Sequence, residues 1–290
     1  MIDLAALHGW PLVSVAALFG LIVGSFLNVV ILRLPARMMH EWRRDSREFL
    51  DMEPEPDEAA PPGIAIEPSH CPACKHRLSV FDNIPLVSWL ALRGRCRYCG
   101  VRISAQYPFV EALTAVACAV VAYRFGATPV TLCGIALSFV LIALAGIDVR
   151  TQLLPDSLTL PLLWLGLLLS LMPLDPSPAH AILGAAIGYL SLWSVFWGFK
   201  LLTGKEGMGH GDFKLLAALG AWMGPMSLLP IILLSSFFGA IIGGTFLALR
   251  RQSRSTPIPF GPFIAAAGWV QFVFGDLTMA AFARLFGLVP

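Results

Sequence analysis

Eight apolar runs, separated by polar connections, divide this chain and leave it few folds to choose from. They cover about Trp10–Leu32, Tyr107–Tyr123, Pro129–Ile147, Leu154–Met172, His180–Leu202, Phe213–Met223, Ser227–Leu249 and Phe260–Phe274. Most approach the roughly 20 residues that a helix needs to cross a bilayer. The sixth is short for a full crossing, and is expected to tilt or to line a cavity where irregular backbone is tolerated. Charged residues make up 13% of the chain and hydrophobic ones 57%; a soluble domain would carry about a quarter charged. The expected fold class is therefore an all-α polytopic membrane protein of about eight transmembrane helices. No Lys or Arg precedes the first run, so a cleavable signal peptide is not expected, and neither end carries a lipidation motif.

Residues 33–106 are the one large polar segment. Arg37–Leu50 reads as a short amphipathic helix suited to a membrane surface or to packing on a neighbouring loop. Residues 51–69 are acidic and proline-rich, a composition that cannot bury a core and is expected to be a linker. Then come Cys71-Pro-Ala-Cys74 and Cys96-Arg-Tyr-Cys99, separated by residues 75–95. Two Cys-x-x-Cys knuckles at that separation match a four-thiolate zinc site, with Cys71, Cys74, Cys96 and Cys99 as ligands and Lys75, Arg77, Arg95 and Arg97 near enough to offset the thiolates. Two disulfides or a redox pair are the alternatives. Cys118 and Cys133 fall inside apolar runs and read as ordinary buried thiols. The expected domains are a first transmembrane helix at 1–33, a domain with the linker and four-cysteine site at 34–106, and a transmembrane bundle at 107–290.

Charge placement orients the chain. If the N-terminus is outside, the connections at 33–106, 148–153, 200–214 and 250–257 share one side, and they hold eighteen of the twenty Lys and Arg. The positive-inside rule makes that side cytoplasmic. A reducing cytoplasm in turn favours zinc over disulfides, and the four-cysteine site becomes a small cytoplasmic domain between the first two spans.

Two acids stand out at the ends of apolar runs on that same side. Asp148 closes the run at 129–147, and Asp212 follows the glycine-rich turn Gly207-Met-Gly-His-Gly-Asp-Phe-Lys214. Two facing carboxylates share a proton, which suits peptide hydrolysis: the ionised acid activates water and the protonated one polarises the carbonyl. Glycines 207, 209 and 211 would admit an extended substrate backbone beside Asp212. Simpler roles compete. Asp212 and Asp156 each suit a helix cap; Asn28 suits a hydrogen bond between helices; His210, Lys214 and Glu111 suit solvated positions at the membrane boundary.

At these residues the chain strongly resembles the bacterial prepilin peptidases, aspartyl enzymes of the Gly-x-Gly-Asp class. The matching stretches are Gly24–Pro35, the four cysteines, Asp82–Leu90, Ile103–Glu111, Ile147–Asp156, Gly207–Leu215 and Pro259–Phe263. By residue matching, the resemblance implies that Asp148 and Asp212 are the catalytic acids. It implies cleavage of type IV prepilin and type II secretion pseudopilin leaders after a glycine, at the cytoplasmic face of the bacterial inner membrane. It further implies N-methylation of the new terminus from S-adenosylmethionine. The partners expected are these substrates and the lipid bilayer, with no nucleic acid. No glycine-rich nucleotide-binding strand–turn–helix is legible, so no residue is assigned to the methyl donor. The alternatives are an intramembrane protease of the presenilin type, against which the four-cysteine domain argues, and a transporter or scaffold, which would set its acids near the bilayer midplane.

Overall fold

The structure is a computed structural model that describes residues 9–52, 60–65, 67–79, 81–205, 207–250, 258–285 and 287, with side chains omitted at 247–250 and 285. The acidic core of the expected linker, Glu53–Glu58, and the basic connection at 251–257 lie outside the described residues. Two compact units divide the chain, Met1–Ala143 and Leu144–Pro290.

The described elements are helical: α1 Trp10–Phe49, α2 Val87–Ala91, α3 Gln106–Phe125, α4 Pro129–Thr151, α5 Asp156–Leu169, α6 Pro178–Thr203, α7 His210–Met223, α8 Leu228–Arg250 and α9 Gly261–Leu285. Six of them (α1, α3, α4, α6, α8 and α9) are long and apolar enough to cross a membrane. Helices α5 and α7 have 14 residues each. Each is therefore about 21 Å long, short of a hydrocarbon core of about 30 Å.

In the first unit α1 packs along α3. A Cβ at Gly20 would lie 2.8 Å from the Thr114 carbonyl oxygen, and one at Gly24 would lie 2.8 Å from the Glu111 Cα, so small residues let the two backbones touch. Asn28 takes the bridging role expected of it, donating its Nδ2 to the Gly24 carbonyl at 3.3 Å and to the Tyr107 carbonyl at 3.1 Å.

The expected break after Leu32 is absent. Span and amphipathic segment are one helix of 40 residues that passes through Pro35. A proline removes one hydrogen bond and clashes with the preceding turn, but the following residues up to Phe49 contain no glycine and are mostly good helix formers. The extension beyond Leu32 also carries a load. Arg33 donates to the carbonyls of Gly63, Glu67 and Pro68, and Arg37 to that of Pro61. Helix α1 thus holds the end of the proline-rich segment against its side.

The second unit is built around α7. Although this helix is short, nearly every residue from Asp212 to Trp222 is buried, because α5, α6 and α9 surround it. It is a central strut, packed on several sides by its neighbours. Its tightest neighbour is α6, where Gly184 and Gly220 meet backbone to backbone. A Cβ on Gly184 would lie 2.1 Å from the Gly220 oxygen, and one on Gly188 2.7 Å from the Leu216 oxygen. On the opposite side the Trp222 indole N–H donates to the Leu162 carbonyl of α5 at 2.8 Å.

Candidate active site and metal centre

Each acid of the expected pair sits where a helix ends. Asp148 occupies the last turn of α4, which Gln152 closes in the left-handed region at φ +55° while donating its N–H to the Asp148 carbonyl. Asp212 is the third residue of α7, after an N-cap at Gly209. It therefore does not occupy the cap position itself. From the third position its carboxylate reaches back to the Gly209 N–H, as the acid of a capping box does.

The second unit brings the two carboxylates together, close enough for the charge of Asp148 to act on Asp212. Both are buried, at 5% and 7% exposure, which rules out an ordinary solvated surface role. Leu154, on the connection between α4 and α5, holds the arrangement from below. Its side chain is what a Cβ on Gly211, beside Asp212, would strike at 2.7 Å, and what a Cβ on Gly261 would strike at 3.1 Å.

Gly261 is the site residue for which position and charge gave no role. It opens α9, and its N–H, which has no intrahelical carbonyl to meet, donates to Asp148 Oδ2 at 2.9 Å. A Cβ there would lie 2.7 Å from that same oxygen. The signal was the stretch Pro259-Phe-Gly-Pro-Phe263, in which prolines flank a glycine at a helix start.

The glycines of the turn divide their labour. A Cβ would meet the Phe199 ring at 2.9 Å from Gly207, and Leu154 from Gly211, so these two serve close packing. Gly209, whose Cβ would meet only Asp212 Oδ2 at 3.9 Å, is the one with room beside the acid. His210 packs against the rings of Phe196 and Phe213 at 5.1 and 5.3 Å. Asp156 neither joins the pair nor caps α5. Pro155 is the cap, and the Asp156 carboxylate receives the Lys214 ammonium at 2.7 Å on both oxygens. That ion pair ties the start of α5 to α7.

The four cysteines also come together, in the first unit. The two knuckles share one backbone design. In the first, the Cys71 N–H donates to the His76 carbonyl and the Lys75 N–H to the Cys71 carbonyl; in the second, Cys96 pairs with Val101 and Gly100 with Cys96 in the same way. Each turn needs a left-handed residue after its second cysteine, filled by Lys75 at φ +59° and Gly100 at φ +70°. Antiparallel bridges His70–Arg77 and Arg95–Arg102 close their bases.

The four Sγ atoms lie within 4.8 Å of one another, with 3.8 Å between those of Cys71 and Cys99. Four thiolates about 2.3 Å from a tetrahedral zinc ion stand about 3.8 Å apart, so donor set and spacing fit the metal. A disulfide would need about 2.05 Å, and no cysteine among the described residues is paired that way. The Cys74 backbone N–H, ahead of neighbouring amide and thiol donors, holds the Cys71 thiol down at about 6, against the opposing effect of burial. Of the cations expected to offset the thiolates, Arg97 turns away. Its Nε meets Asp82 at 2.6 Å and holds that carboxyl below the usual range.

Comparison with known proteins follows this geometry closely. The profile of the bacterial peptidase A24 N-terminal domain matches residues 18–125, and that of the type IV leader peptidase family matches residues 135–244. A protein of Xanthomonas campestris pv. campestris is 56% identical over 94% of this chain and 95% of its own length. The chain belongs to the type IV leader peptidase family. That relative bears the name prepilin leader peptidase/N-methyltransferase, as do relatives in Aeromonas hydrophila, 50% identical over 93% of each chain, and in Pseudomonas aeruginosa, 49% identical over 99% of each. No solved structure matches this member of the family. The first profile covers α1 from residue 18 onward, the cysteine centre and α3; the second covers both acids.

Proposed function

We propose that this chain is a prepilin leader peptidase in which Asp148 and Asp212 are the catalytic acids. The observation that carries the reading is the pair of buried carboxylates, set at the end of one helix and the start of another within a leader peptidase chain. One acid, ionised, takes a proton from a water whose oxygen attacks the scissile carbonyl carbon. The other, protonated, donates a hydrogen bond to the carbonyl oxygen as charge develops there. Collapse of the tetrahedral intermediate breaks the C–N bond, and the leaving amine collects a proton from the pair. The Gly261 N–H fixes the orientation of Asp148 throughout, and the room beside Gly209 suits an extended backbone with a glycine at the cut.

The substrates proposed are type IV prepilins and type II secretion pseudopilins, cut after a glycine at the cytoplasmic face of the bacterial inner membrane. The side assignment rests on the eighteen basic residues gathered there. In this reading α5 and α7 complete eight crossings, tilted or lining the site, and residues 107–290 form the protease bundle. The domain at 34–106 is the cytoplasmic part, in which Cys71, Cys74, Cys96 and Cys99 would hold a structural zinc that fixes both knuckles.

The relatives' name supports a second activity, N-methylation of the new terminal amine. S-adenosylmethionine would supply the methyl group. No strand among the described residues starts a nucleotide-binding turn, so no residue of this chain is assigned to that donor. The test is purified protein in vesicles with a prepilin, read by product mass. A single cut after glycine, then a methyl increment only when the donor is added, is expected; an intact prepilin overturns the proposal.

A further inference from the structure

The segment between the two knuckles displays its apolar side chains on the outside. Phe81, Ile84, Val87 and Leu90, three residues apart along a short 3-10 turn, the bend after it and α2, are 75%, 40%, 59% and 65% exposed. Two of its polar side chains, Asp82 and Trp89, are taken up by partners within the domain. The Asp82 carboxylate accepts the Ser79 hydroxyl and N–H and the Arg97 Nε–H, and the Trp89 indole donates to the Ile103 carbonyl. This is inside-out for a surface bathed in water.

Two further observations say what covers it. The first is depth. The Leu86 N–H, at a residue in the left-handed region (φ +60°), donates to Glu111 Oε2 at 2.8 Å. Glu111 is the sixth residue of α3, so this tie lies roughly 7.5 Å along a helix only about 30 Å long. That length just matches the hydrocarbon core, so a tie at that level lies about 7.5 Å inside the edge of the core, below the headgroups. Amphipathic segments in the interface bury their apolar face about 5–10 Å into the boundary between headgroups and acyl chains. The second is charge. Arg93, Arg95 and Arg102 are exposed just beyond the apolar stripe, while Asp82 is the one acid between Cys71 and Val110 and is already bound to Arg97.

We propose that Phe81–Leu90 is a ledge seated in the membrane: its four apolar side chains insert at the headgroup boundary of an anionic phospholipid bilayer, and the arginines beside it meet lipid phosphates. The ledge ties the cysteine centre to the bilayer independently of the protease reading, because it involves neither acid.

A photo-activatable diazirine amino acid placed at 84, 87 or 90 tests this in the full chain, in vesicles of mixed zwitterionic and anionic phospholipid. Position 73, exposed at the tip of the first knuckle, is the reference. Irradiation should add the mass of one phospholipid several-fold more often at the three ledge positions than at 73. Replacing the anionic lipid by zwitterionic lipid should lower the yield several-fold. The double variant V87D/L90D alters only exposed positions and should keep its metal and fold while lipid capture at 84 falls several-fold. Equal capture at 73 and 87, yields indifferent to lipid charge, or cross-links solely to a second copy of the chain or to an added prepilin would each overturn the proposal.

Discussion

Substituting Gly184 by Ala tests how the site is positioned from a distance. The new Cβ would lie 2.1 Å from the Gly220 carbonyl oxygen, whereas carbon and oxygen in close helix contacts stay about 3.3 Å apart or more. The backbones of α6 and α7 must therefore separate by roughly 1.2 Å, and no side chain can rotate to relieve them. Overpacking of this kind costs about 1–3 kcal/mol, and the upper end is expected because both sides of the contact are main chain. Asp212 lies on α7 two turns before Gly220. A displacement of about 1 Å at a catalytic group lowers rates by about 100-fold. Thermal unfolding in detergent and prepilin cleavage at matched protein level should both show the loss. Gly198→Ala on the same helix is the control, since a Cβ there meets nothing within 4 Å. It should be neutral or slightly stabilising. A Gly184→Ala protein with unchanged stability and cleavage would refute the claim that this crossing sets the position of Asp212.

Other expectations follow from single contacts. Gly261→Ala sets a methyl 2.7 Å from Asp148 Oδ2, so cleavage should fall at least tenfold while thermal stability barely moves; normal cleavage would remove Gly261 from the site. Metal analysis of protein purified without chelator should find about one zinc per chain, lost in Cys71→Ser/Cys74→Ser with the membrane bundle still folded; four cysteines oxidised with no metal would contradict this. Asp156→Asn breaks a partly exposed ion pair to Lys214, worth about 0.2–1 kcal/mol, and should leave cleavage within a few-fold of normal, as measured by initial rates.

Much of the site was legible because its chemistry is local. A Cys-x-x-Cys knuckle is complete within six residues, and the glycine-rich turn announces both the start of α7 and its acid. Position and charge also drew the two aspartates to one side before any contact was known. What sequence position could not reveal was contact between distant segments. Nothing local says that Gly261 opens α9 onto Asp148, or that Lys214 reaches back to Asp156. The break expected after Leu32 failed for a related reason: Pro35 and the change to charged residues read as an ending, while the clamp of Arg33 and Arg37 on residues 61–68 exists only in three dimensions. Likewise Asp212 and Asp156 both resembled caps, and Gly209 and Pro155 take those positions instead.

Cleavage by the two aspartate variants tests the central claim most directly. Asp148→Asn and Asp212→Asn keep size and hydrogen bonding but cannot exchange the proton that hydrolysis requires. Each, inserted in vesicles at the level of the unaltered chain, should process a prepilin at no more than a trace of the normal rate. The double variant should be hardly slower than either single one, since groups that act as a unit lose their effect together. Substantial cleavage by either single variant, or a double variant slower by the product of the two effects, would contradict a paired-carboxylate site at Asp148 and Asp212.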